Sequence, residues 1–372
     1  MSEKELDIYR ELQKHLDKMP IGFPPTSSGV DLKVLKFLYN PEQVELALNL
    51  SFIPLPLKKI FRKVKKFGIT INELEEKLMQ MHKKGLIHSI IKEENGAEVK
   101  YFSNAFYLIG IFEFQRNWMT KEYILDFKKY FEEAFFPEEW NKTNIRQTRV
   151  IPIEQSIVNM QEIATYDYVR KIIDNVDGPI AIMDCICRKA KELLDDPCKK
   201  TKMMETCFTF NQAAESFLEK NLARQINKKE ALEILEEIEK EGLVLQPGNA
   251  QNPINICCCC GCCCEIMLNE KKFDRPAKFF NSNYLAEVDS ELCIGCGICS
   301  DRCQMDAMKI IEEKSKVDSD RCIGCGVCIP TCPQEAIKLI KKDTEIIPPK
   351  NFLDTYIAIM DKKAELARAE KQ

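Results

Sequence analysis

Apolar residues recur at helical spacing in four consecutive segments between residues 31 and 85, and polar residues that start or stop helices separate them. Asn40 before Pro41 is a typical helix start, since the asparagine side chain caps the first turn and proline fits its first position. Thr70 and Glu73 have the spacing of a capping box, which predicts the start of another helix. This part of the chain is therefore predicted to form four short helices.

Two strand-like runs follow these helices, at residues 86–92 and 97–103. They are joined across Asn95 and Gly96, and an Asn-Gly pair between such runs is a strong signal for a tight hairpin. Short helices followed by a hairpin predict a winged-helix-like domain over residues 31–115.

The rest of the chain divides into five further segments. They are a lead-in helix and loop at 1–30, a helical connector at 116–175, a cysteine-rich segment at 176–270, a segment with an internal repeat at 280–342, and a C-terminal helix at 343–372. Within the cysteine-rich segment, the apolar spacing predicts a helix over 228–241 that ends at Gly242. The expected fold class is α+β, with these modules in succession.

Composition narrows the class of protein without defining a function. The chain has 372 residues, of which 45% are hydrophobic and 30% charged, as is ordinary for a protein that forms folded cores. Its formal net charge of −4 gives no overall attraction to nucleic acid or to anionic membranes. The first residues are charged, and no apolar run approaches the roughly 18 residues that span a bilayer. We therefore expect a cytoplasmic protein without membrane insertion.

The unusual feature of the composition is its 19 cysteines, all of which follow residue 184. An odd number of cysteines in a long chain without an export signal does not fit a disulfide framework. Thiols that stay reduced and lie at short spacings are typically ligands of metal ions or metal clusters. The second half of the chain is thus expected to bind metal.

Eight of these cysteines form an internal repeat. The first run is Cys293, Cys296, Cys299 and Cys303, and each member recurs 29 residues later, at Cys322, Cys325, Cys328 and Cys332. Three thiolates at this spacing can surround one corner of a cubane while the fourth points elsewhere, and the intervening glycines let backbone amides approach the cluster sulfurs. Two zinc sites are the alternative, since four thiolates also suit tetrahedral zinc.

This repeat resembles the bacterial-type ferredoxin with two 4Fe–4S clusters, over about residues 286–342. The resemblance implies that the fourth cysteine of each run binds the other cluster. Cluster I would then be held by Cys293, Cys296, Cys299 and Cys332, and cluster II by Cys322, Cys325, Cys328 and Cys303. One departure is Gln304, where the family usually has a proline; Pro333 keeps that proline in the second run.

Eleven further cysteines lie upstream, more than one cubane can use, in two segments separated by the predicted helix. Adjacent residues of an extended chain point to opposite sides, so neighbouring cysteines seldom bind one ion together. We expect at least one additional cluster with ligands from both segments; a zinc or copper site and unliganded buried thiols are the alternatives. The candidate ligands, of which a subset would bind, are Cys185, Cys187, Cys198, Cys207, Cys257, Cys259, Cys260, Cys262, Cys263 and Cys264.

Arg188 directly follows Cys187 and is a candidate for balancing the charge of a thiolate-bound cluster or for donating to its sulfurs; a surface arginine is the alternative. A winged-helix-like start, this Cys-x-Cys-Arg element, a Cys-Cys-Gly-Cys-Cys run and a two-cluster end span most of residues 31–342. Together they resemble a group of poorly characterised multi-cluster iron–sulfur proteins of anaerobic bacteria and archaea. The resemblance implies electron transfer and defines no substrate. The chemistry of such clusters predicts oxygen lability and an anaerobic host.

The winged-helix-like segment raises the question of DNA binding. Six positive residues fall within nine positions, namely Lys58, Lys59, Arg62, Lys63, Lys65 and Lys66. The next helix, however, begins with Glu73, Glu75 and Glu76, whose carboxylates would repel a phosphate backbone. A solvated basic face or a docking surface for an acidic partner is therefore favoured over DNA binding.

The function that the sequence favours is one-electron transfer, by a carrier or an electron-transfer subunit rather than a stand-alone enzyme. The expected partner is a redox protein or an oxidoreductase complex. The alternatives are a redox-responsive DNA-binding regulator and a catalytic subunit in which an upstream cluster keeps an open iron. No dinucleotide-binding glycine motif, P-loop or nucleophile-elbow serine indicates another chemistry.

Overall fold

The computed structural model describes residues 3–158, 160 and 163–370. The predicted lead-in helix, connector and C-terminal helix extend over the remaining seven positions, and those parts of the predictions lie outside the described residues. The described chain forms two compact units. The first contains the residues up to Thr143 and those from Tyr356 onward, and the second is Asn144–Thr355. Both units mix helices with strands, which confirms the α+β class. The finer domain boundaries stay a prediction.

The first unit contains a three-stranded antiparallel sheet of order β1-β3-β2 among short helices. Stacked aromatic rings fill its interior, among them Phe112 on Phe127, with ring centroids 3.9 Å apart. The elements are α1 (Glu3–Leu16), α2 (Val30–Leu38), α3 (Pro41–Ala47), β1 (Leu55–Pro56), α4 (Leu57–Val64), α5 (Ile71–Lys83), β2 (Ile87–Glu94), β3 (Ala97–Asn104), α6 (Phe112–Phe114) and α7 (Lys121–Tyr130).

The two predicted helix starts in this unit are confirmed by their hydrogen bonds. At α3, the Asn40 side chain accepts from the Gln43 amide at 2.9 Å, and the Gln43 side chain accepts from the Asn40 amide. At α5, Thr70 and Glu73 form the predicted capping box. Each box satisfies two backbone groups that the first helical turn would otherwise leave unpaired.

The hairpin predicted across Asn95 and Gly96 is also confirmed. β2 and β3 pair antiparallel along their whole length, and the two turn residues have positive φ, 52° and 76°. The tight turn requires positive φ at both positions, a conformation that Asn and Gly adopt most readily. The winged-helix interpretation depends on this order of elements, four helices followed by a hairpin. The interpretation itself stays a prediction.

The second unit contains a five-stranded antiparallel sheet of order β6-β4-β5-β8-β7 and two two-stranded sheets. Its elements are α8 (Val169–Asp174), β4 (Ile180–Asp184), α9 (Ile186–Leu193), β5 (Glu205–Phe210), α10 (Asn211–Glu219), β6 (Arg224–Ile226), α11 (Lys228–Glu241), β7 (Val244–Pro247), β8 (Asn255–Cys259), α12 (Glu265–Glu270), β9 (Tyr284–Val288), α13 (Ile298–Arg302), β10 (Met308–Ile311), β11 (Lys314–Val317) and β12 (Ile337–Lys341). α14 (Phe352–Ala369) follows.

Two helices predicted in the second half of the chain are confirmed. α11 covers the predicted range, begins where the Asn227 side chain accepts from the Glu230 amide at 2.9 Å, and ends at Gly242, whose φ is 74°. α14 is the predicted C-terminal helix. None of the helices in the described part of the chain combines the length and apolarity that a membrane span needs.

The five-stranded sheet brings together cysteines that are far apart in the sequence. Cys207 in β5 pairs directly with Cys257 in β8. Because side chains of a strand alternate between its faces, Cys257 and Cys259 share one face, while Cys258 packs in the apolar core beside Ile256. The sheet therefore places neighbouring cysteines in different environments.

The repeat at 280–342 is also a structural repeat. β9 and β11 each precede a cysteine run, and β10 and β12 each follow one. β9 pairs with β12 and β10 with β11, so that Ala286 lies opposite Leu339 and Ser315 opposite Ile310. These two pairs are related by the same 29-residue offset as the cysteines, which predicts equivalent surroundings for the two runs.

Candidate metal centres

The first candidate centre, site I, is a pocket of the repeat segment. Cys293, Cys296 and Cys299 of the first run line it together with Cys332, the last cysteine of the second run. Cys296 is exposed, whereas Cys293 and Cys299 are buried. Site I therefore lies at the surface of the unit.

Site II is a second pocket of the repeat segment. Its cysteines are Cys322, Cys325 and Cys328 of the second run with Cys303 of the first. Burial raises the pKa of all three second-run thiols, and Cys325 is only partly exposed, whereas its counterpart Cys296 at site I is exposed. The structure thus brings the predicted ligands together in the crossed sets that the resemblance implies.

Backbone amides point at the cysteine sulfurs of both sites. The Ala307 amide donates to Cys303 Sγ and the Ala336 amide to Cys332 Sγ, each at 3.3 Å. Cys293 Sγ accepts from the Ser315 amide at 3.2 Å, and this bond lowers the pKa of the Cys293 thiol. Sequence reasoning missed Ser315; the signal was the repeat itself, since β11 and β9 are equivalent. Amides aimed at sulfur favour thiolates, which are the form that binds iron.

Glycines at the cysteine runs are required where the backbone passes another chain segment closely. Gly295 and Gly324 have φ of 68° and 66°, and a Cβ at either would lie 2.1 Å from a carbonyl oxygen, that of Glu313 or of Tyr284. Real Cβ atoms do not approach oxygen so closely, so only glycine fits. These contacts hold β11 against the first run and β9 against the second.

A third centre, the four-thiol group, forms where Cys198 meets the turn after β8. The Sγ atoms of Cys198, Cys260, Cys262 and Cys263 all lie within 4.8 Å of one another. Cys198 Sγ is 3.6 Å from Cys260 Sγ and 3.7 Å from Cys262 Sγ. The Cys262 Sγ is in turn 3.6 Å from Cys260 Sγ and 3.7 Å from Cys263 Sγ.

Cys262 and Cys263 belong to the same group although they are adjacent in the sequence. Adjacent cysteines were expected to seldom share an ion because they alternate in extended chain. Residues 261–263, however, form a turn rather than a strand. A turn curls consecutive side chains toward the same side, and both sulfurs reach the same point.

The fourth centre, the thiol ring, is a closed circuit of six cysteines. Each thiol interacts with two others, in the order Cys185, Cys187, Cys264, Cys259, Cys257, Cys207 and back to Cys185. The start of α9, strands β5 and β8, and the residue before α12 supply them. All ten upstream candidates therefore fall either in the four-thiol group or in the thiol ring.

The pKa values alternate around the thiol ring. They are lowered at Cys185, Cys257 and Cys264, to about 5 for Cys257, because two neighbouring thiols donate hydrogen bonds to each of these three. The pKa values of the three donors are raised correspondingly. Six thiolates in this space would repel one another strongly, so full ionisation requires metal cations, which displace thiol protons when they bind.

Arg188 is fully buried, at 0% exposure, so the surface alternative is wrong. Its guanidinium donates to the Cys258 carbonyl oxygen at 3.0 Å and to the Thr206 hydroxyl. Burial opposes its charge, but the thiolates, with Cys185 and Cys260 foremost, raise the Arg188 pKa above its usual value. Its Nε is buried without a hydrogen-bond partner. Arg188 thus offers a positive charge and a spare donor beside both upstream centres.

Gln304, the departure from the ferredoxin pattern, connects the repeat segment to the cysteine-rich segment. Its Oε1 accepts from the Gly261 amide and its Nε2 donates to the Gly242 carbonyl oxygen, both at 2.9 Å. Gly261 lies between Cys260 and Cys262, and Gln304 follows Cys303. A proline could make neither bond, which gives a physical reason for glutamine at this position.

The basic run lies on α4 and the turn after it, in the first unit. Lys63 Nζ donates to the Asn49 carbonyl oxygen at 3.2 Å, and Lys66 Nζ lies 5.4 Å from the centre of the Phe67 ring. In α5, the Glu73 carboxylate accepts from the Thr70 amide. The Glu75 carboxylate accepts from Lys100 Nζ at 2.5 Å, so two of the six cations and two of the three carboxylates have local structural roles.

The repeat segment is similar to a known family. A family profile described as a 4Fe-4S dicluster domain matches residues 286–339, which include both cysteine runs. Neither the curated proteins nor the solved structures contain a significant match to the chain. The match, the crossed thiol sets and the amides aimed at sulfur agree with one another. This part of the chain is a ferredoxin-like iron–sulfur domain, which supports 4Fe–4S binding and an electron-transfer role.

Proposed function

We propose that this protein transfers single electrons between redox proteins, through two 4Fe–4S clusters held at sites I and II and a further cluster held by the thiol ring. The observation that carries the proposal is the pair of matched cavities, each lined by three cysteines of one run and one of the other. When bound, such clusters accept and release one electron at a time. The protein sets their potentials by amide donors, burial and nearby charge.

The exposure of site I makes it the point of exchange with an external partner. Cys296 is exposed, and so are the apolar side chains of Leu292, Ile294 and Ile298 beside it. Exposed apolar side chains around a redox site are typical of a surface on which a partner docks transiently. A redox protein or an oxidoreductase complex that docks here would come close to the cluster at site I.

Site II lies between this surface and the thiol ring. The thiol ring and site II share one apolar cluster, in which Cys259 and Cys264 of the ring are buried and Cys303 and Cys325 of site II pack against them. Met305 is buried in the same cluster. This contiguity supports a relay from site I through site II to the ring, with little solvent along the way.

The thiol ring suits a cluster better than a single ion. A tetrahedral ion takes four thiolates, whereas the ring offers six. More than one metal atom is therefore needed to use them all. Arg188, whose Nε has no hydrogen-bond partner, supplies a donor and a positive charge for a sulfur-rich, negatively charged group.

The proposal is tested by measuring iron and acid-labile sulfide per chain on anaerobically purified full-length protein, with EPR of the reduced form. We expect more than the roughly eight irons that two 4Fe–4S clusters contain, and EPR signals that interact. Substitution of Cys207→Ser with Cys257→Ser should lower the iron content to about eight. Cys258→Ala, at the buried cysteine between two ring members, should leave it unchanged.

Two results would contradict this function. A chain without iron would overturn the electron-transfer proposal as a whole. An iron content that the ring substitutions leave unchanged would remove the further cluster while leaving sites I and II in place.

A further inference from the structure

We propose that the four-thiol group is a structural site for one tetrahedral zinc ion, separate from the iron–sulfur centres. Zinc holds four thiolate sulfurs at about 2.3 Å. The sulfur–sulfur edge of a tetrahedron is about 1.63 times the metal–sulfur bond, which gives about 3.8 Å. The four close Sγ–Sγ distances in the group are 3.6 or 3.7 Å. Four of the six sulfur–sulfur distances thus already match those around a single ion, and the other two are within 4.8 Å.

The same spacing distinguishes this group from sites I and II. Within the residues that the structure describes, Cys198, Cys260, Cys262 and Cys263 are the only group of three or more potential metal ligands whose ligand atoms all lie within 4.8 Å of one another. No three of the thiols at site I or at site II are that close together, and in a cubane each thiolate binds a different iron. The four-thiol group thus has the close sulfur spacing that a single ion requires.

The charges around the group suit a zinc tetrathiolate. Four thiolates and one divalent cation leave two negative charges. Arg188 interacts electrostatically with Cys260, and Lys191 with Cys263. Lys191 is also paired with Asp196 at 2.7 Å and Arg188 also faces the thiol ring, so the two cations offset part of the remaining charge of this partly buried all-thiolate group.

The position of the group indicates what the ion does. Cys198 lies in the loop between α9 and β5, and the other three ligands lie in the turn after β8. An ion here would tie the loop to the turn. Cys260 and Cys263 directly adjoin Cys259 and Cys264 of the thiol ring, so the ion would also hold two ring members in position without exchanging electrons itself.

The first measurement is zinc per chain together with the extended X-ray absorption fine structure at the zinc edge, which reports the type and distance of the zinc ligands. It uses the full-length, anaerobically purified protein. We expect about one zinc per chain, with four sulfurs at about 2.3 Å. Because this measurement uses the unmodified chain, it does not depend on whether a variant folds. Less than a tenth of a zinc per chain, or zinc bound by nitrogen or oxygen, would overturn the proposal.

The second measurement compares variants. Cys198→Ser with Cys262→Ser should lower the zinc content at least fivefold while the EPR signals of sites I and II persist, and Cys258→Ala should keep both metals. If the double variant instead loses about four irons and no zinc, the group binds a cluster and the zinc assignment is wrong. That result would leave the proposed electron transfer intact, whereas absence of iron from the wild-type chain would contradict the proposed function and leave the zinc site standing.

Discussion

Replacing Gln304 by methionine tests whether the ferredoxin-like domain is fastened to the cysteine-rich segment as the structure shows. Gln304 is 2% exposed, and its side chain bonds the buried Gly261 amide and the buried Gly242 carbonyl oxygen, each at 2.9 Å. Methionine has a similar length and volume but forms neither bond. The substitution therefore removes two hydrogen bonds and leaves two buried backbone groups unpaired, with little change in packing.

The expected cost follows from those two backbone groups. A buried polar group that loses its partner destabilises a protein by about 1–3 kcal/mol. Two such groups amount to about 2–6 kcal/mol, and the more apolar methionine side chain offsets part of this. We expect a loss of about 3 kcal/mol, which for a unit of roughly 200 residues lowers the melting temperature by about 6–12 °C.

The assay is anaerobic thermal unfolding followed by far-ultraviolet circular dichroism. Gln212→Met is the matched control, since Gln212 is exposed on α10 and the same substitution there should change the melting temperature by about 1 °C or less. A Gln304→Met protein that melts within about 2 °C of the wild type would refute the reasoning. It would mean that the two segments are held together by other contacts.

Two further predictions concern a glycine and a lysine. Gly297→Ala places a side chain at φ 82° in open space and should lower the free energy of unfolding by about 1–2 kcal/mol. Gly295→Ala adds a clash with the Glu313 carbonyl, so it should lower that free energy further and alter the EPR signal of site I. Equal effects of the two substitutions in thermal unfolding and EPR would contradict the close approach. Burial lowers the pKa of Lys220 to about 8 from 10.5. Between about pH 8 and pH 10.5 the unfolded chain binds a proton that the folded chain has released. From pH 7 to pH 10, the stability of the wild type should therefore rise by about 2 kcal/mol relative to that of Lys220→Met. A difference in melting temperature that does not depend on pH would exclude this pKa shift.

Local signals predicted local structure well. The capping boxes at Asn40 and Thr70, the Asn95-Gly96 turn and the helix that ends at Gly242 are all confirmed. Each depends on side chains within a few residues of the backbone groups that they bond, so the sequence nearby contains the whole interaction. The ferredoxin-like domain was predictable for a related reason, because its cysteine runs and glycines repeat at a fixed offset.

The sequence was weakest where partners are far apart along the chain. It identified ten upstream candidate ligands but did not divide them, and it left Arg188 equally open as a buried or a surface residue. The division depends on the pairing of β5 with β8, which sets Cys207 against Cys257, and on the turn that gathers Cys260, Cys262 and Cys263. Neither the strand pairing nor the turn can be predicted from the spacing of the cysteines.

By itself, then, the sequence determined that the second half of the chain binds metal and contains a ferredoxin-like domain with two cysteine runs. It could do so because the spacing of cysteines and the position of glycines are local features of the sequence. Only the tertiary structure decided that the upstream thiols gather in two groups of different geometry, a ring of six and a tight group of four. The physical reason is distance. Which sulfurs meet, and whether they meet at the spacing of one ion or of several, depends on how strands pair and alternate, and that is a property of the folded chain.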